Sequence, residues 1–242
     1  MAENERNDET DKSPAPPPGE GYRYRIDREH PIGGEMSDVL RGIFVRLRLP
    51  WLLRHYSQTP VLAIFSFLNG VLSIGIMSVL AVITGSPFIF PSLGPTAFLF
   101  FYTPTAPTAS PRNTICGHLI GVLAGYFALV VTGLTNAGPA LATGVTWPRV
   151  IAAALSLGLT AGLMVLLKVP HPPAGATTLI ISLGILTHFS QLVILMAAVV
   201  LLTVQAFVIN RLAGIDYPLW SPRQASASGA AASSASTMRL RS

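Results

Sequence analysis

Between Phe88 and Phe207 the chain contains no aspartate and no glutamate, and this acid-free run lies inside an apolar stretch that extends from Val61 to Asn210. A soluble domain of that length would need a charged surface, with roughly a quarter of its residues ionisable. Here charged residues make up 11% and apolar residues 50% of the 242-residue chain. The stretch therefore reads as a membrane domain. Helices satisfy every backbone group within their own segment, as lipid demands, and one helical span takes about 20 apolar residues. The run has room for about six such elements joined by short loops, in one all-α polytopic domain.

Six hydrophobic segments are legible: 61–85, 87–102, 115–134, 150–167, 171–186 and 192–209. Four are long enough to span. The second is interrupted by Pro91, Gly94 and Pro95, and the fifth opens on Pro172 and Pro173, so both read as short, broken helices. The order full, broken, full then recurs, with Pro91 to Ala97 matching Pro170 to Ala176 at a spacing of about 79 residues. Cytoplasmic loops collect Lys and Arg. Six passes put Arg112, Lys168 and Arg211 on the side of the N-terminal arginines, with Arg149 and His188 opposite. Four passes would move Arg112 and Lys168 outside. The charges favour six, in an inverted 3+3 repeat.

The flanks differ in character. Ten of the eleven acidic residues lie between Glu3 and Asp38, and only Asp216 follows. Residues 1–38, acidic and Pro-rich, are expected to be a disordered cytosolic tail, and 213–242, ending in an Ala/Ser-rich run, another. Residues 39–58 carry Val39, Leu40, Ile43, Phe44 and Leu47 at helical spacing among arginines, an interfacial amphipathic helix that Pro50 should break or kink. Residues 59–212 form the membrane domain. No secretory signal or Arg-rich transit peptide opens the chain, so a plasma membrane with both termini cytoplasmic is expected. The arginines flank spans, where inside-facing loops and headgroups explain them, and no nucleic-acid partner is expected. Cys116 stands alone, which leaves no disulfide or cysteine-based metal site within one chain.

The broken segments are the candidate site. Proline in the first helical turn loses no hydrogen bond, so Pro95 and Pro173 mark helix starts within the membrane. Unwound backbone there is tolerated where it lines a polar cavity or is buried in protein, and its free N–H groups attract anions. Ser92, Gly94, Pro95 and Thr96 in one half, and His171, Pro172, Pro173, Gly175 and Thr177 in the other, are the candidate binding residues, with His118 as a further hydrogen-bond donor or proton relay. The competing reading is that Pro and Gly only kink packed helices and that a histidine at a span edge only anchors it. Arg112 and Asn113 suit a helix cap or a cytoplasmic gate. Without membrane carboxylates, an anionic cargo fits better than a cation. The expected partners are the lipid bilayer and a small anion, and a homo-oligomer is admitted but not required. No nucleophile–base pattern, P-loop or dinucleotide fingerprint is present, so neither an enzyme nor a cofactor or metal site is expected. The alternative to transport is a membrane scaffold or regulatory subunit acting through its tails.

Several separated motifs resemble the HPP family of integral membrane proteins: His171-Pro172-Pro173 continuing into Ala174-Gly175-Ala176-Thr177, Ser92-Leu93-Gly94-Pro95-Thr96-Ala97, and Pro111-Arg112-Asn113 with Gly117-His118-Leu119-Ile120-Gly121. The resemblance covers roughly residues 60–210. It implies four membrane-spanning helices and a transporter. Nitrite transport is attributed to some chloroplast and cyanobacterial members, which makes nitrite or another small anion the implied cargo.

Overall fold

The structure, a computed structural model, describes residues 48–222. The expected N-terminal tail, residues 39–47 of the expected interfacial helix and residues 223–242 lie outside the described residues. Eight helices follow in order: α1 (Leu49–His55), α2 (Gln58–Thr84), α3 (Leu93–Tyr102), α4 (Pro111–Val131), α5 (Ala140–Thr143), α6 (Trp147–Leu166), α7 (Ala174–Ser182) and α8 (Phe189–Leu212), with a 3-10 turn at Pro107–Ala109. No strand occurs among the described residues.

Four helices, α2, α4, α6 and α8, are long and apolar enough to cross a membrane. They expose large side chains that water would not tolerate together, such as Phe67 and Val82 on α2, Leu123 on α4 and Val165 on α6. These are the lipid-facing surfaces of an integral multi-pass membrane protein. The broken segments form α3 and α7, of ten and nine residues. At 1.5 Å per residue each is about 15 Å long, half the thickness of a bilayer core. Pro91 lies in the turn that leads into α3, and Pro173 is the N-cap of α7. Pro95 falls two residues inside α3, still within the first turn, where the missing N–H costs nothing. Pro50 is the second residue of α1, after an extended Arg48, so it stands at a helix start, a break rather than a kink, for the same reason.

Contacts at the two ends of the bundle give each element its direction. At one end Leu49 N–H donates to Ala213 O (2.9 Å), Arg112 N–H to Trp220 O (3.0 Å) and Asn210 Nδ2 to Phe100 O (3.0 Å). At the other, Ala140 N–H donates to Leu183 O (2.9 Å). Thus α4 starts and α3 and α8 finish at the first end, while α7 finishes at the second. The chain runs the length of the bundle six times, four times as full helices and twice as a half-helix with an irregular lead. The three passes of the second half run opposite to those of the first.

One ladder of glycines fixes the centre. Gly117, Gly121 and Gly125 recur every fourth residue on α4, and α7 lies against them in parallel. A Cβ at Gly117 would fall 2.7 Å from His171 Cβ, at Gly121 2.7 Å from Ala174 O, and at Gly125 2.9 Å from both Thr178 O and Ile181 Cβ. Only glycine lets the two backbones approach this closely.

Candidate functional site

The glycine ladder brings the start of α7 beside α4, and the start of α3 packs against the same region. Three buried side chains converge there, Thr96 from the first turn of α3, His118 from the second turn of α4 and His171 from the lead into α7. His118 Nε2 and His171 Nε2 are 3.2 Å apart. Thr96 Oγ1 lies 3.0 Å from the first and 3.3 Å from the second. Two imidazoles in a linear end-to-end hydrogen bond of this length would hold their centroids about 5.5 Å apart. The observed 4.8 Å, with ring planes inclined by 56°, shows the two nitrogens turned toward a shared point.

The partners assign the protons. Thr108 offers a carbonyl, which only accepts, so His171 Nδ1–H donates to it at 2.8 Å. Thr96 directs its own hydroxyl proton to Ser92 O at 2.9 Å and can only accept from the rings. With one proton on each ring, His171 Nε2 is an acceptor and His118 Nε2–H faces it and Thr96. His118 Nδ1 then accepts from the Thr177 hydroxyl at 2.7 Å. A continuous chain runs from Thr177 through both histidines to Thr108, with every hydrogen bond pointing the same way. A proton taken up from outside at His171 Nε2 would make that ring a donor on both sides, and His118 could accept from it only by shifting its own proton from Nε2 to Nδ1, where it would donate to Thr177 Oγ1.

Two further hydroxyls on the adjoining turns, Ser92 Oγ and Thr178 Oγ1, are buried without a hydrogen-bond partner among the described residues. Both are donors in search of an acceptor, a costly state in an apolar core. The described part of the chain contains one acid, Asp216, and it lies beyond α8 beside Arg211. The cluster therefore offers a neutral N–H donor, that of His118, and no negative charge.

The remaining candidates are placed differently. Gly94 and Pro95 face outward, and a Cβ at Gly94 would meet nothing within 4 Å. Pro172 is exposed and Pro173 buried, while Gly175 packs near Leu157. The cap of α4 is Ser110, whose hydroxyl accepts from Asn113 N–H, rather than Arg112 or Asn113. The helix begins earlier than the hydrophobicity does, because Pro111 is tolerated in its first turn. Asn113 Nδ2 instead donates to Pro107 O at 2.9 Å and helps hold the 3-10 turn. Sequence reasoning did not find Thr108 or Thr114, whose Oγ1 is 3.4 Å from His171 Nδ1. A backbone carbonyl leaves no signature in a sequence. Among the described residues no three His, Cys, Asp or Glu side chains come together as a metal site would require.

Comparison with known proteins agrees with the architecture. Residues 55–218 match the family described as HPP, transmembrane region. A transmembrane protein of Dictyostelium discoideum is 31% identical over 134 residues, 53% of this chain and 44% of its own length. A second from the same organism is 34% identical over 93 residues, 38% of this chain and 27% of its own. The matched stretches thus span less than half of either relative. No solved structure matches. The family match covers most of the chain and contains both broken helices and the histidine pair: this protein belongs to the HPP transmembrane-region family of integral membrane proteins.

Proposed function

We propose that the protein is a transporter or channel for a small inorganic anion, with nitrite as the leading candidate, and that the anion binds at His118, His171 and Thr96. The observation that carries this reading is the histidine pair itself, two ring nitrogens 3.2 Å apart and fully buried in a membrane core that contains no carboxylate. Polar groups at that depth are costly and mark a pathway more often than a packing role. An anion entering the cluster would take the His118 Nε2–H bond away from His171. His171 Nε2, relieved of its donor, is then free to hold a proton that balances the anion's charge. The cluster is thus suited to carry an anion together with a proton.

Orientation follows from charge. Arg48, Arg54, Arg112, Lys168 and Arg211 gather at the end where α4 starts, and Arg149 alone among the described Lys and Arg residues sits at the other. The basic end is the cytoplasmic one by the positive-inside rule, in a plasma membrane. Uptake by proteoliposomes of nitrite, nitrate, formate and chloride in turn tests the function. Flux of at least one of these above protein-free vesicles is expected, and equal rates for all four with and without protein would refute it.

A further inference from the structure

Among the described Lys, Arg, Asp and Glu residues, Arg149 alone is almost wholly buried, with 2% of its surface exposed. Its Nη1 donates to Ser182 O at 3.0 Å and its Nη2 to Gly138 O at 2.8 Å, which ties the end of α7 to the loop after α4. No carboxylate balances it, since Asp216, the only described acid, lies at the opposite end of the bundle, 3.6 Å from Arg211. A buried cation held only by carbonyl dipoles leaves a positive field in its surroundings.

Beside it opens a cleft of about 410 Å³ lined by Thr135, Asn136, Gly138, Gly184, His188 and Gln191, among others. Two of these touch the guanidinium. Gly138 accepts its hydrogen bond, and a Cβ at Gly184 would fall 3.0 Å from both Nη1 and Nη2. The charge therefore lies just behind the cleft floor. The walls present hydroxyl, amide, imidazole and backbone groups with no acid. The 24-residue helix α8 starts at the cleft, so the positive end of its dipole is directed there.

We infer that this cleft is a vestibule that binds a small monovalent inorganic anion at the end of the bundle opposite the basic cluster. Its volume exceeds that of a bare anion several times over, given about 30 Å³ for a water in the liquid, so the ion keeps part of its hydration and binding is weak. The site deepens the transport reading by supplying a capture point, but its binding stands independently of whether the anion goes on to cross.

Chloride-35 NMR line broadening on the purified full chain in detergent tests this, with chloride as the probe and nitrite as competitor. Wild type is expected to broaden the line saturably and nitrite to reverse it. Gln191→Glu keeps a side-chain oxygen for the His188 N–H it now caps (3.2 Å) while adding a negative charge to the wall. It should weaken chloride binding about fivefold, the scale of one added charge in a wet site. Arg149→Gln should weaken it at least as much and Arg149→Lys should retain most of it. His171→Ala should leave it in place. If Arg149→Gln does not fold, Gln191→Glu decides alone. No broadening above empty micelles, an unchanged affinity in Gln191→Glu, or broadening lost in His171→Ala but kept in Gln191→Glu would each overturn the vestibule. Vestibule broadening without flux refutes only transport, and flux without vestibule broadening refutes only the capture site.

Discussion

His118 Nε2 and His171 Nε2 stand 3.2 Å apart although 53 residues separate them along the chain. Neither histidine makes this contact by local structure. It depends on α7 lying against the glycines of α4 and on the hydrogen bonds that orient each ring from behind, Thr177 on His118 and Thr108 on His171.

Thr177 and Thr178 are adjacent, both buried, and differ in one respect: the first hydroxyl serves His118 and the second has no partner among the described residues. Thr177→Val leaves an imidazole nitrogen unsatisfied and should cost about 1–3 kcal/mol. Thr178→Val removes a hydroxyl that nothing satisfies and should be neutral or stabilising. Denaturation followed in detergent checks the pair, and equal losses in both would contradict the pairing of Thr177 with His118.

The glycine ladder makes a similar contrast. Gly121→Ala places a methyl 2.7 Å from the backbone oxygen of Ala174, so α7 must move; overpacking of this kind costs about 1–3 kcal/mol. Gly94→Ala adds its methyl to open space and should leave stability unchanged or gain up to about 1 kcal/mol in helix propensity. Thermal unfolding of the two variants side by side is the measurement.

Tyr217, fully buried beyond the end of α8, donates to Ala109 O at 2.5 Å and pins the 3-10 turn that also carries Thr108. Burial pushes its phenol above the ordinary value of 10. A group whose folded pKa is raised contributes stability in full below the unfolded value, and that contribution fades as pH climbs from there toward the folded one. Wild type should therefore lose stability above about pH 10, and Tyr217→Phe should lose less over the same range while being less stable by about 1 kcal/mol at neutral pH. Chemical denaturation at pH 7, 10 and 11 reads both effects.

Six passes place the loops before α4 and after α6 on one face and the start of α6 on the other. In a Cys116→Ala background, Thr105→Cys and Leu167→Cys should react with a membrane-impermeant maleimide from the same side, and Thr146→Cys from the opposite side. All three positions are exposed on the bundle surface. Labelling of Thr105→Cys and Leu167→Cys from different sides would contradict the topology.

Much of this arrangement was legible in the sequence because its signals are coarse and local. Apolar length announced the four full helices, and Pro and Gly marked the two short ones. The count of Arg112 and Lys168 against Arg149 gave the direction of the passes. The boundaries were less legible: α4 begins at Pro111 and α6 at Trp147, in residues whose polarity hides a helix that tertiary packing sustains. Of the candidate site, Thr96, His118, His171 and Thr177 meet, whereas Gly94, Pro95 and Pro172 do not join them. Composition marks where a helix breaks but not which side of the break faces inward. The ladder of Gly117, Gly121 and Gly125 was visible in the letters, but its role depends on which helix lies against it, and that is a property of the fold.

The most direct test of the central claim is nitrite uptake into proteoliposomes loaded with a pH-sensitive dye, comparing wild type with His171→Ala at equal protein density. Nitrite flux accompanied by proton movement in the same direction is expected for wild type, and flux reduced to the level of empty vesicles for His171→Ala. Wild-type vesicles no faster than empty ones, or full flux in His171→Ala, would contradict it.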